Sequence, residues 1–390
     1  MNLSVKIKDI TFKNPVIVTS GEHGRDAETI IKAASTGVAA ITTKSIISSP
    51  IPDPLPCYAK IPCGFLNCVL ATTITAEQWF KTEIPMAKKA GIPIIVNIAG
   101  TFPKETSDLA KKAVDAGADI IELPTYCPHL AENLEAQFPG MKIPPPEIDN
   151  PKPFRETVKA VRQAVNVPII GKLSAVFSNN SVKWVKAGMN AGMDVIEITD
   201  TFGPAMSIDI ETGQPKLGGP RGFGAMSGGV LKPIALRMVF EVAQKLNIPI
   251  IASGGISTWK DAVEYIMAGA SMVGVCTVGH LKGKNIYSKI ISDLEKYFEE
   301  KGISIEDIKG LAQRRVKERE EKNILAITEA IVPTVIEEKC TACKMCETSC
   351  IYEAITIEDV AHIDKEKCYG CGLCVDVCPV NAIKSSYYKE

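Results

Sequence analysis

Eight of the thirteen cysteines form two closely similar strings, Cys340-x-x-Cys343-x-x-Cys346-x-x-x-Cys350 and Cys368-x-x-Cys371-x-x-Cys374-x-x-x-Cys378-Pro379. Thiolates at this spacing hold [4Fe–4S] cubes, and in doubled strings the fourth cysteine of each ligates the other cube. The spacing therefore assigns Cys340, Cys343, Cys346 and Cys378 to one cluster and Cys368, Cys371, Cys374 and Cys350 to a second. A disulfide framework or a single tetrahedral zinc fits eight such thiolates poorly. Two clusters imply chemistry that moves electrons one at a time.

A second set of reactive side chains stands where apolar runs end: Thr19 and Ser20, Lys44, Asn97, Cys127, Lys172, Thr199 with Asp200, Ser253, and Cys276 with Thr277. A buried ammonium is costly unless it faces an anion or an electron-rich acceptor. Two lysines among these positions therefore suggest such an acceptor, and a reduced flavin ring, negative near N1, is one. The bland alternative is that one or both reach solvent. Ser253-Gly254-Gly255-Ile256 and Gly274-Val275-Cys276-Thr277 suit a phosphate held by bare backbone N–H groups, with Ser227-Gly228-Gly229 as a further source of donors. Cys127 carries a thiol whose ordinary pKa suits proton exchange near neutrality, and His129 is close enough in sequence to assist. Cys57, Cys63 and Cys68 read as small buried hydrophobes.

The elements that bring these residues together follow from two alternating phrases. The first is a glycine opening an apolar run, at Gly37, Gly117, Gly192 and Gly269; the second places a proline at the start of one, at Pro93, Pro168 and Pro249. Such glycines end helices and such prolines begin strands. With the run beginning at Pro15 they give eight strands too continuous for one-sided burial, separated by helix-compatible stretches. The expected fold is α/β: a (β/α)8 TIM barrel over residues 1–310, a helical linker over 311–332, and a small α+β ferredoxin of the bacterial 2[4Fe–4S] type over 333–390. Insertions at 45–75, 127–153 and 200–232 lengthen the loops at the C-terminal ends of the strands, where barrels build active sites. The prolines from Pro144 to Pro146 read as a stiff surface connection.

With 390 residues, 46% of them hydrophobic, the chain suits a barrel plus one small domain. A net charge of −1 offers no footprint for nucleic acid. No stretch is apolar enough for a bilayer, and thiolate-rich sequence fits a reducing compartment, so a cytoplasmic protein without membrane contacts is expected. No Gly-x-Gly-x-x-Gly follows a strand, so a nicotinamide site is not expected, and electrons must pass to or from an external partner.

The chain resembles the FMN-dependent dihydroorotate and dihydropyrimidine dehydrogenase barrels. The resemblance rests on Asn14-Pro15 leading to Thr19-Ser20-Gly21, Thr43-Lys44, Phe65-Leu66-Asn67, Cys127-Pro128-His129, Gly171-Lys172-Leu173, Met226-Ser227-Gly228-Gly229 and Ala252-Ser253-Gly254-Gly255-Ile256. With the fused ferredoxin it looks most like the iron–sulfur subunit of the bacterial NAD-dependent dihydropyrimidine dehydrogenases. The resemblance implies that Lys44 and Lys172 contact the flavin and that Gly228, Gly254, Gly255, Cys276 and Thr277 hold its phosphate. It further implies Cys127 as general acid or base, Asn67 and Thr201 against substrate, and a ferredoxin or NAD(P)H-oxidising flavoprotein as electron partner within a homo- or hetero-oligomer.

The departures from that family lie on the substrate side. Its pyrimidine-binding members usually read Asn-Leu-Ser-Cys-Pro where this chain has Pro124-Thr125-Tyr126-Cys127-Pro128, and they carry an asparagine where Asp200 stands. An ionised Asp200 only accepts hydrogen bonds, which favours a ligand rich in N–H or positively charged. The expected substrate, facing Asn67, Tyr126, Asp200 and Thr201, is a pyrimidine relative or another conjugated carbonyl compound. The competing readings are a flavin-free lyase or aldolase using Lys44 or Lys172 as a Schiff-base nucleophile, and a non-catalytic electron-transfer subunit.

Overall fold

The computed structural model describes residues 3–128, 130–138, 140, 142–144, 147–324 and 326–388. His129 and two prolines of the Pro-rich stretch, Pro145 and Pro146, lie outside these. The chain divides into two compact units, Met1–Val316 and Lys317–Glu390.

In the first unit all eight expected runs are parallel strands, closing in chain order into a barrel. They are β1 (Val16–Val18), β2 (Ile41–Thr42), β3 (Ile94–Asn97), β4 (Ile120–Pro124), β5 (Ile169–Ser174), β6 (Val195–Asp200), β7 (Ile250–Ser253) and β8 (Met272–Val275). Gly117 and Gly192, with φ of 109° and 104°, turn helix ends toward β4 and β6 in a conformation that side chains resist.

Strand side chains alternate between the two faces of the barrel wall. One set, including Val16, Val18, Val96, Ile121 and Ile196, packs with the outer helices in a large apolar cluster. Helix Lys152–Ala164 shows how the outer layer is written, burying Phe154, Val158 and Val161 at i, i+4 and i+7. Burial of one such valine contributes about 1.5–3 kcal/mol, so Val158→Asp would detach this helix.

The other set points inward and is layered. The lower layer, Ile17, Ile95, Ile120, Ile170, Val195, Ile251 and Met272, forms a separate apolar cluster closed by Ile7 and Phe12. These two come from an N-terminal hairpin, Val5–Ile7 paired with Ile10–Phe12. Two residues further along each strand the inward layer turns polar, with Asn97, Glu122, Lys172, Glu197 and Ser253, all buried.

The insertions after β2 and β6 join in one antiparallel sheet, ordered Phe202–Ala205, Gly224–Gly228, Gly64–Asn67, Tyr58–Ile61. Its register sets Ala225 opposite Asn67 and Gly228 opposite Gly64. A Cβ on Gly64 would fall 2.0 Å from Ser227 O, so only glycine admits the pairing. Of the cysteines expected to be small buried hydrophobes, only Cys68 is buried; Cys57 is half-buried and Cys63 exposed. Cys63 sits in the turn between two of these strands, with φ of 60°, and is exposed there.

The second unit is built twice over. Cys340 and Cys368 are 28 positions apart, and the backbone repeats at that offset. Left-handed φ values recur at Ala342 and Gly370, at Lys344 and Gly372, and at Glu353 and Asn381. Short helices Met345–Ser349 and Leu373–Asp376 recur likewise. Strands Thr334–Val335 and Ile383–Lys384 pair, as do Ile355–Ile357 and Ala361–Ile363. Its buried apolar cluster is Cys346, Ile355, Ala361 and Ile383, with four more cysteine side chains, Cys340, Cys350, Cys374 and Cys378, packed around it, so thiols form much of what is inside. Among the described residues no helix is long and apolar enough to cross a membrane.

Candidate functional site

A cavity of about 730 Å³ opens at the C-terminal ends of the strands, beneath the antiparallel sheet. Every residue expected to bind a cofactor or substrate lines it, from Thr19, Ser20, Lys44 and Asn67 through Asn97, Tyr126, Cys127 and Lys172 to Cys276 and Thr277. Thr199, Asp200, Thr201, Gly228, Gly254 and Gly255 share it.

Its floor is the polar inner layer. Lys172 on β5 and Glu197 on β6 stand in register, as do Asn97 on β3 and Glu122 on β4. Lys172 Nζ lies 3.2 Å from Glu197 Oε1 and 4.0 Å from Glu122 Oε1. Burial alone would push Lys172 down, but Glu197, Asp200 and Glu122 outweigh it and hold the ammonium well above the usual lysine range. Burial, then the charge of Glu197, drives Glu122 well above the carboxylate range despite the pull of Lys172. Burial thus favours the neutral acid at Glu122, beside an ammonium held charged at Lys172. Asn97 Nδ2 donates to Glu122 Oε1 at 2.5 Å, and Ser253 Oγ lies 3.1 Å from Glu197 Oε1 and 2.7 Å from Thr199 O. Lys172 is 4% exposed and Lys44 7%, so neither reaches solvent. The two glutamates were absent from the expected site; their signal was a charge at an inward position of each otherwise apolar run.

At the exit of β4, the Thr125 N–H and Oγ1 each donate to Lys172 O at 2.9 Å, and the Ser174 N–H donates to Thr125 Oγ1. This clasp to β5 fixes where Tyr126 and Cys127 leave the barrel wall. Tyr126 packs edge-on against Phe177, and burial, with Cys127 next, raises its phenol so that it stays neutral.

The glycine corner is a meeting of bare backbones. Gly254 and Gly255 have φ of 98° and 84°. A Cβ on Gly255 would lie 2.7 Å from Lys232 Cβ and 3.1 Å from Gly228 O, and one on Gly228 would lie 2.8 Å from Cys63 O. Tyr265 OH donates to Gly254 O at 2.6 Å and holds the turn. Beside it, Ser227 lines the cavity with a buried Oγ that lacks a hydrogen-bond partner, as does Asn97 Oδ1 deeper down. Burial raises the Cys276 thiol to about 11, Lys172 opposing, so it is neutral at pH 7.

One family profile, Dihydroorotate dehydrogenase, matches residues 2–298, and a second, 4Fe-4S binding domain, matches residues 361–384. The chain belongs to the dihydroorotate dehydrogenase family. It is an FMN-dependent oxidoreductase of CH–CH bonds with a 4Fe–4S ferredoxin domain. It is similar to the dihydroorotate dehydrogenase B (NAD(+)) catalytic subunit of Pyrococcus furiosus, 36% identical over 317 residues that cover 80% of this chain and all of that one. The corresponding subunit of Caldicellulosiruptor bescii is 36% identical over 314 residues, 80% of this chain and 99% of that one. That of Methanocella arvoryzae is 31% identical over 319 residues, 82% of this chain and all of that one. This member of the family is thus longer than the relatives it matches.

An aromatic cluster walls the cavity at the start of helix Thr277–Lys282. His280 stacks on Phe65 with centroids 5.6 Å apart, and His23 and Tyr58 approach it at 5.3 and 6.0 Å. Burial, followed by the nearby His23, lowers His280 to about 4. Between pH 6.5 and 4 the unfolded chain therefore binds a proton that the folded one refuses, and stability rises with pH across that window. Urea unfolding of the protein should lose up to about 1.4 kcal/mol per pH unit more than that of His280→Gln as pH falls from 6.5. Parallel pH profiles for the two would assign the acid sensitivity elsewhere.

Proposed function

We propose that the cavity binds FMN against Lys172 and the glycine corner, and that the enzyme adds or removes the two hydrogens of a C–C bond beside a carbonyl. Electrons pass through two [4Fe–4S] clusters to or from an external partner. The observation that carries this reading is the convergence of Lys172, Cys127 and the Gly228, Gly254 and Gly255 backbones on one cavity.

The fit to FMN is chemical as well as spatial. The partnerless Ser227 Oγ and Asn97 Oδ1 await a ligand with donors and acceptors, and the side-chain-free corner leaves room for a phosphate against backbone N–H groups. Bound FMN supplies the two-electron exchange with substrate. Lys172, held beside Glu197 and Glu122, offers a positive charge rather than a nucleophilic amine, which speaks against the Schiff-base alternative. Cys127, clasped at the β4 exit, takes or gives the substrate proton. Asn67 and Thr201 face the substrate, with Asp200 Oδ1 accepting the Thr201 N–H at 2.8 Å. Cofactor contacts by Thr19, Ser20, Lys44, Asn97, Thr199, Cys276 and Thr277 belong to the same reading.

The doubled backbone of the second unit favours two clusters with crossed ligands. Cys350, Cys368, Cys371 and Cys374 surround one small cavity, the set assigned to one cube. Backbone amides four residues on donate to the fourth thiol of each string, Ala354 to Cys350 at 3.4 Å and Ala382 to Cys378 at 3.2 Å. Such bonds stabilise thiolate and help set cluster potential.

Anaerobically purified protein should carry about one FMN and about eight irons, four for each of two cubes. Cys350→Ser should alter the same electron paramagnetic resonance signal as Cys371→Ser, and Cys378→Ser the other. Iron without flavin would remove the catalytic proposal, and pairing of Cys350 with Cys343 instead would remove the crossed ligation.

A further inference from the structure

The groups around Lys44 bear on which substrate the cavity admits, an inference that rests on the oxidoreductase reading above. Lys44 Nζ lies 2.8 Å from Glu22 Oε1 and 3.4 Å from Asp53 Oδ2. The other oxygen of Asp53, Oδ1, accepts the backbone N–H of Leu70 at 2.7 Å. An ammonium and a backbone amide set to grip the two oxygens of one carboxylate form the receptor that an acid substrate would use. Here both grips are filled from within the chain, and Lys44 and Leu70 both line the cavity.

No other cation is free to replace them. Among the described residues lining the cavity, Lys172 is the only further lysine or arginine, and it is committed to Glu197. His280 is held neutral by burial. Glu22, Glu105 and Asp200 line the same cavity with charge of the opposite kind. An incoming carboxylate would lose its water and meet acidic groups without gaining a counter-ion.

We propose that Asp53 occupies the carboxylate position of this site, so that the substrate is an uncharged cyclic amide or related conjugated carbonyl without an acid group, its N–H groups directed to Asp200. Dihydroorotate and orotate, both carboxylates, are thereby excluded at ordinary concentrations.

Calorimetric titration of the purified holoenzyme with orotate tests this, flavin content being read from the absorbance of the same sample. The wild type should show no binding below millimolar orotate. Asp53→Asn keeps an oxygen for Leu70 but frees Lys44 of one charge, and should tighten orotate at least about tenfold; Glu22→Gln should act in the same direction. Micromolar binding of orotate by the wild type would overturn the inference, as would two variants that bind it no better than the wild type. A sample without flavin absorbance fails the oxidoreductase reading instead, and the calorimetric comparison still decides whether Asp53 fills the anion position.

Discussion

Replacing Cys127 by alanine is expected to leave the flavin colour and content unchanged while turnover falls about 10²–10⁴-fold. The thiol lines the cavity just beyond β4, on a segment that Thr125 clasps to β5, so its loss removes a proton carrier without loosening the wall. Cys127→Ser retains size and hydrogen bonding but holds its proton far more tightly, and should fall between wild type and alanine. Single-turnover flavin bleaching separates this chemical step from electron exit through the clusters. Turnover that survives in the alanine variant would remove Cys127 from the reaction.

Lys172→Met should be the most damaging substitution for the barrel itself. It strands Glu197, fully buried beside Glu122, and loss of one partner from a buried pair costs about 3–5 kcal/mol. The damage has a diagnostic pH dependence. With the amine gone, the pull that lowers Glu122 is lost and its buried carboxyl holds a proton that the unfolded chain does not, so stability of the variant should increase as pH falls from 8 to 6. Adding Glu197→Gln removes the stranded charge and should recover most of the loss at pH 8, whereas flavin retention, if the ammonium holds the flavin as proposed, should stay low. Urea unfolding at the two pH values reads the first effect and flavin absorbance after dialysis the second. Equal stability of the single and double variants would show that the lysine acts otherwise than by neutralising Glu197.

The barrel was legible because its phrases are local. Pro93, Pro168 and Pro249 each stand directly before a strand, and Gly117 and Gly192 each close a helix with a conformation only glycine takes cheaply. Even β2, reduced to Ile41 and Thr42, was carried by this rhythm. The rim followed from position alone, since strand ends fix where Lys44, Asn97 and Lys172 stand. Pairings between distant segments were not legible. The sheet that joins Gly64–Asn67 to Gly224–Gly228 depends on backbone register across some 160 positions of sequence, and nothing local announces it. The Glu22–Lys44–Asp53 contact likewise joins three loop residues whose charges look ordinary until folded together. Cys63 misled for the opposite reason, since its turn conformation overrides the tendency of thiols to bury.

The two halves of the iron-binding tail repeat the same backbone but not the same residues. Gly370 and Gly372 take their left-handed conformations without strain, whereas Ala342 and Lys344 hold the same shape at a cost of about 1–2 kcal/mol each. Bonds from the cysteine sulfurs to iron in this family of domain would help offset that cost. Folding of this tail and loading of its iron–sulfur group are therefore expected to be coupled. Protein made without iron should accordingly lose its C-terminal segment to protease while the barrel persists.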